Sequence, residues 1–312
     1  MQMSATTAPS HGETKRSRVR GQSKRPTERV IEALLVVSGL ISVFTTAGIL
    51  YVLASEAIQF FSEVSIVEFL TSTEWTPLFA DAKFGILPLL TGTLLTSAIA
   101  LVVAVPFGLL AAIYLSEFAP SIVRRVLKPT LEMLAGVPTI VYGYFALVFL
   151  TPILQPLVPG LGGFNALSAG MVMGIMIIPM ISLLSEDSLR AVPNSLREAA
   201  LGLGSTKLSS ILKVVVPAAT SGVMASIILA LSRAVGETMI VAIAAGQQPR
   251  FTLDPRVSIE TMTTYIVQIS MGDVPAGTRE YRTIFAVGSA LFVMTFFMNV
   301  FSQRLARRFR ER

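Results

Sequence analysis

Apolar residues run along this chain in long blocks, and six of them are long enough to cross a bilayer core of ~30 Å as helices, which takes ~20 residues each. They cover roughly residues 30–54, 91–115, 130–151, 165–184, 218–246 and 283–302. Between the blocks the pattern changes. Residues 55–84 carry periodic apolar positions (Ile58, Phe61, Phe69, Leu70) beside the only tryptophan, Trp75, which predicts short helices lying at the membrane interface. Residues 247–282 are punctuated by Pro249, Gly272 and Pro275, which predicts a structured loop instead of a long helix. In residues 185–217, Leu196, Ala199, Ala200 and Leu203 fall at i, i+3, i+4 and i+7, a narrow apolar stripe on one short helix. Ser195 and Glu198 have the spacing of a capping box, Gly204 suits a left-handed turn ending that helix, and Ser205 or Thr206 can cap a second helix running to Pro217.

Composition supports the same class. Hydrophobic residues make up 53% of the chain and charged residues 14%, and the mean hydropathy is +0.69, outside the range of soluble domains. The expectation is an all-α integral membrane protein of six spans, with a membrane domain over residues 30–304. If the N-terminus is cytoplasmic, 19 of the 25 lysines and arginines fall on the cytoplasmic side, which places both termini inside. Residues 1–29 are expected to be a disordered basic tail and residues 305–312 a second basic tail. The first holds seven positive charges and no aromatic residue for base stacking, so it suits anionic lipid and not nucleic acid. The first apolar block is too long for the core of a cleaved signal peptide. There is no cysteine, and the one histidine, His11, lies in the tail, so no metal site and no Ser-His-Asp triad is expected in the membrane domain.

Several blocks are interrupted where lipid alone would not reward it. Pro88 and Pro106 flank or enter the second, Pro138 lies inside the third, and Pro179 bends the fourth. Each proline frees a carbonyl that needs a partner in protein or in a watery cavity. Thr139 and Tyr142, beside the Pro138 break, offer hydroxyls to line such a path or to bond between helices.

The fifth block ends in LSRAVGETMIVAIAAG, residues 231–246, with Arg233 near its midpoint. A guanidinium at the bilayer centre costs about 2.5–3.5 kcal/mol on insertion scales. On a continuous helix Glu237, four residues on, would share its face and form an ion pair. Such a pair can lock helix against helix. It can also serve transport: Arg233 offers two parallel donors to an oxyanion, and Glu237 holds the guanidinium when substrate is absent and eases release.

GLGSTK, residues 202–207, lacks the Gly-Lys-Ser/Thr order of a nucleotide-binding P-loop, so no ATPase is expected in this chain. Glu198-Ala199-Ala200, Gly204, Val214, Val216 and Pro217 together resemble the EAA loop of ABC importer permeases, with Val where that family usually has Ile and Leu. Residues 92–119, 134–147 and 232–246 are similar to stretches of phosphate importer permeases, and Gly236-Glu237-Thr238-Met239 points to their PstC-type subunit. The resemblance covers about residues 30–304. It implies a MetI-like bundle that passes phosphate, with Arg233 and Glu237 as the charged pair of the path, and an EAA loop over residues 193–217 that docks an ATP-binding subunit through Glu198, Ala199, Ala200, Gly204 and Pro217. The partners it implies are a homologous PstA-type permease subunit, two ATP-binding subunits that hold ATP and Mg, and an extracytoplasmic phosphate-binding protein, with no cofactor on this chain. Sulfate or molybdate permeases share a similar Arg-x-x-Gly-Glu turn. Classes outside this resemblance are a stand-alone anion transporter or channel and a membrane-anchored scaffold.

Overall fold

The computed structural model describes residues 26–310, so most of the basic tail lies outside the described residues. Helix α1 spans Pro26–Glu63; its residues up to Tyr51 belong to one compact unit, and the chain from Val52 onward forms another. Within the first unit the apolar side chains of 30–50 are exposed, as lipid-facing positions would be.

In the second unit, α2 (Ile66–Thr71) is followed by a single antiparallel bridge between Trp75 and Phe84. Trp75 is buried, edge-on to Phe69 and Tyr265, in a core with Phe60 and Phe84. Each ring of this cluster finds an edge-to-face partner, while the Trp75 indole N–H is buried without a hydrogen-bond acceptor.

Two long helices form the centre, α3 (Leu87–Phe118) and α6 (Ala166–Arg190). They pack closely because glycines face bulky neighbours: a Cβ on Gly170 would stand 2.8 Å from the Ile99 side chain, and one on Gly174 2.8 Å from the Ala100 carbonyl oxygen. Asn165 caps α6, its side-chain oxygen accepting from the Ser168 N–H at 2.7 Å. Pro106 and Pro179 lie inside helices that run on past them.

The third block is sharply bent. Residues 121–135 form α4 (Ser121–Ala135), an amphipathic helix with no buried residue, and α5 (Thr139–Leu154) departs from it at 87°. Pro138 sets the corner: it cannot donate a backbone hydrogen bond, and it fixes the start of α5.

After α6 come α7 (Asn194–Gly202) and α8 (Lys207–Ala218). Helix α9 (Thr220–Val235) leaves α8 at 69° and stops at Gly236, and α10 (Met239–Ala244) starts three residues later. The fifth block is therefore broken where the sequence pattern predicted a single span. Helix α11 (Met262–Met271) lies against α12 (Arg279–Arg310), whose helix continues through most of the expected second tail. By length and composition the described residues hold four unbroken candidate spans, and six if each bent pair counts as one.

Candidate functional site

Two regions carry the chemistry expected from the sequence, and they lie at different levels of α3. The first is the break in the fifth span. Ala230 and Ala234 pack in one cluster with Ala100 and Ala104, near the middle of α3, so Arg233 lies at mid-depth of the bundle. Its side chain is exposed and makes no hydrogen bond or ion pair with any described residue. The expected pairing with Glu237 is absent. Because α9 ends at Gly236, Glu237 does not continue on the Arg233 face. Its buried carboxylate turns to α10 and accepts from the Met239 and Ile240 N–H groups at 3.1 and 3.3 Å. That is an N-terminal cap with the favourable sign for the helix dipole. The Glu237 carbonyl in turn accepts from Thr263 Oγ1 at 2.8 Å, tying the break to α11. Next to Arg233, Ser232 donates to Asn299 of α12 at 3.0 Å.

Tyr142 and Thr139 flank the Pro138 corner as expected. The Tyr142 hydroxyl donates to the Leu134 carbonyl at 3.0 Å, so it satisfies a backbone acceptor near the end of α4. Thr139 is half-buried at the first position of α5.

The second region is the EAA-like loop at the other end of α3 from Trp75. Gly204 adopts φ +85°, the left-handed turn expected, and Thr206 caps α8 by accepting from the Ser209 N–H. The capping box does not form. Pro193 is the N-cap and the helix begins at Asn194, so Ser195 is already inside the first turn; Glu198 is exposed. Ala200 is buried and Ala199 is exposed. Leu196, Leu201 and Leu203 project outward, Leu203 at 89% exposure, with Leu208 and Leu212 beyond them on α8.

What holds α7 in place escaped the sequence pattern. The Arg197 guanidinium donates to Glu117 at the end of α3 at 3.0 Å, to the Leu189 carbonyl at 2.8 Å and to the Val192 carbonyl. Beside it, Lys128 of α4 reaches Glu186 at 2.7 Å and Asp187 at 2.9 Å, and Arg190 meets Glu186 at 3.3 Å. Glu186 is fully buried and spans two cations, so the end of this helix is tied both to α4 and to its own last turn. No group of three or more His, Cys, Asp or Glu side chains among the described residues is placed to hold a metal ion.

At the opposite end, Glu260 is the unexpected feature. Its side chain is 2% exposed, its Oε1 has no hydrogen-bond partner, and burial pushes its carboxyl up to about 8. The neighbouring Tyr265 phenol is pushed well above its usual range by the same burial.

Residues 104–311 match the family model described as binding-protein-dependent transport system inner membrane component. The chain is 33% identical to the probable ABC transporter permease protein YqgH of Bacillus subtilis over 88% of this chain and 89% of that protein. It is 37% identical to the phosphate transport system permease protein PstC of Mesorhizobium japonicum, covering 73% and 74% of the two chains, and 36% identical to PstC of Xylella fastidiosa, covering 78% and 79%. Among solved structures, a bacterial ABC transporter involved in alginate import superposes with a TM-score of 0.64 at 14% identity, over 90% of this chain and 96% of that one. The inward-facing methionine transporter MetNI superposes with a TM-score of 0.53 at 20% identity, over 72% and 94%. With six apolar segments, a broken fifth span and the EAA-like loop already in place, the chain belongs to the binding-protein-dependent transport system inner membrane components, the multi-pass permeases of ABC transporters.

Proposed function

We propose that this chain is the permease subunit of an ATP-driven phosphate importer, with both termini and α7 in the cytoplasm and the Trp75 end outside. The observation that carries the substrate is Arg233: an exposed guanidinium at mid-depth, left without a carboxylate although Glu237 is four residues away. Facing lipid it would cost about 2.5–3.5 kcal/mol. Facing a watery path shared with a homologous PstA-type permease subunit, it presents a two-pronged donor to an oxyanion. Glu237 then serves the path indirectly, by holding the break that frees Arg233, and Thr139 and Tyr142 shape the wall at the second break. The PstC relatives, named for phosphate transport, support the choice of ion.

The exposed apolar side chains of α7 and α8, with Glu198, Ala199, Gly204 and Pro217 around them, form the docking surface for a cytoplasmic ATP-binding subunit. ATP and Mg belong to two such subunits, the chain performs no hydrolysis, and an extracytoplasmic phosphate-binding protein delivers the ion. In proteoliposomes holding the whole complex, phosphate should stimulate ATP hydrolysis and uptake where sulfate and molybdate do not, and Arg233→Ala should assemble yet lose uptake. Stimulation by sulfate or molybdate in place of phosphate would refute the ion; normal uptake by Arg233→Ala would refute the role of the guanidinium.

A further inference from the structure

The end of the bundle that the Proposed function places outside contains a cavity of about 440 Å³ lined by Trp75, Glu260, Tyr265, Gln247, Gln248 and Gln268. This volume falls within the range of sites that seat small ligands. The Glu260 backbone cannot withdraw from it. Its carbonyl lies against Gly92 of α3, where a Cβ would come within 2.2 Å, and the Met262 N–H donates to Thr93 Oγ1 at 3.1 Å. The segment is pinned on α3, and Glu260 forms part of the cavity wall, its Oε1 buried behind that wall and unpartnered.

A buried acceptor without a donor costs about 1–3 kcal/mol, so its retention asks for an occupant. The lining states the chemistry of that occupant: a carboxyl, three amide side chains and the exposed Phe79 ring suit an ammonium or guanidinium group, which bonds to the first two and stacks on the third. Around the opening the surface is apolar and exposed. Phe79 is 71% exposed and Leu78 52%. A second cavity of about 580 Å³ adjoins across Trp75, Thr76, Phe79 and Pro249 and is lined also by Phe251 and by the charged side chains of Glu74 and Arg250. A pocket for one charged anchor ringed by apolar contacts is how the energetic centre of a protein interface is built.

We infer that this cavity receives a lysine or arginine side chain projected by the extracytoplasmic binding protein, with Glu260 as its counter-ion and Leu78, Phe79 and Phe251 as the surrounding contact. The inference rests on the Proposed function, because only a partner on the outer side can reach this end. Gly92, beside the Glu260 carbonyl, and Glu117, which holds α7, are separated by roughly 38 Å along α3 at 1.5 Å per residue, so one partner surface cannot reach both. While the cavity is empty, burial favours the protonated carboxyl; a cation seated beside it favours the ionised form.

The test uses the whole complex in lipid nanodiscs, titrated with a purified phosphate-loaded extracytoplasmic binding protein from the same organism, and reads the half-saturating concentration for ATPase stimulation per assembled complex. Glu260→Gln keeps shape and removes the charge, and should raise that concentration about tenfold or more. A change below twofold overturns the inference. In a second measurement, which does not depend on tolerance of that substitution, a photo-crosslinker is placed on a single introduced cysteine, Leu78→Cys, in this cysteine-free chain. It should join the binding protein at a surface bearing Lys or Arg; stimulation without that adduct overturns the inference. If phosphate-loaded binding protein fails to stimulate the unmodified complex, the phosphate reading itself fails; if it stimulates the unmodified complex and Glu260→Gln equally, only the cavity assignment fails.

Discussion

Replacing Arg197 by methionine should disconnect α7 from the bundle while leaving the proposed docking surface intact. The substitution keeps an apolar stem and removes the guanidinium that joins α7 to Glu117 of α3 and to the Leu189 and Val192 carbonyls at the end of α6. The Arg197 and Glu117 side chains are 18% and 9% exposed, so the pair is largely desolvated. Removing one partner of a buried pair costs about 3–5 kcal/mol. Ser116 still donates to Glu117 at 3.0 Å, and water can enter beside the shortened side chain, so about 2–3 kcal/mol is the better figure for this site. At 1.4 kcal/mol per factor of ten, that lowers the population of anchored α7 roughly 30- to 150-fold relative to detached forms. The assay is ATP hydrolysed per phosphate imported by the reconstituted complex. The ratio should rise several-fold, because α7 would move with the ATP-binding subunit without carrying α3 and α6. Arg197→Lys, which keeps the charge but not the planar fork, should fall between the two. A ratio equal to the unmodified value, in a variant shown by spin-label distances to have lost the α7–α3 contact, would refute the idea that this latch transmits the stroke.

Two further outcomes follow from local geometry. Gly204→Val should weaken retention of the ATP-binding subunit during purification by about tenfold, because Gly204 sits at φ +85°, where a β-branched residue is strained; a Cβ there meets nothing within 4 Å, so unchanged retention would show that the backbone turn is dispensable. For Glu260, the folded state binds its proton up to about pH 8 and the unfolded chain only to the ordinary carboxylate range near 4.5, so between those values the folded state holds more protons and stability falls as pH rises. Tyr265 beside it stays neutral across that window. The melting temperature of the unmodified protein minus that of Glu260→Gln should therefore fall from pH 5 to pH 8 and level off above; a flat difference would remove Glu260 as the source.

The long apolar blocks told the architecture because burial in lipid needs only length and hydrophobicity, both read along the chain. Gly204 and Thr206 were legible for a similar reason: each acts on the two or three residues beside it. The misses share a cause in the other direction. Ser195 and Glu198 have the spacing of a capping box, but Pro193, with its fixed φ, starts the helix two residues earlier and takes the cap position. Arg233 and Glu237 have i, i+4 spacing, but that spacing means contact only if the helix is unbroken, and it ends at Gly236. Residues 130–135 looked like the start of a span because Leu131, Met133 and Leu134 are apolar, yet they finish an amphipathic helix whose basic residues lie a turn earlier. Lys128 with Glu186, and Arg197 with Glu117, are 58 and 80 residues apart in the chain, and nothing local marks either pair.

The treatment of charge along the bundle separates holding from carrying. Toward the α7 end, Lys128, Arg190 and Arg197 each meet a carboxylate within 3.3 Å; of the acidic partners Glu186 is buried and Glu117 nearly so. This fold therefore pairs a cation readily when the aim is to fix one element on another. At mid-depth it does the reverse: Glu237 is spent on the N-terminus of α10, and Arg233 is left with an open fork. Had the fifth span been continuous, the same two side chains would have neutralised each other at the level where the proposed path for the anion lies. A permanent intrahelical pair would compete with the anion for every donor, whereas a carboxylate already occupied by two backbone N–H groups competes far less. On the proposed reading of Arg233 as the oxyanion donor, the break at Gly236 would tune the affinity of the path as much as Arg233 does, by deciding which group the neighbouring carboxylate answers to.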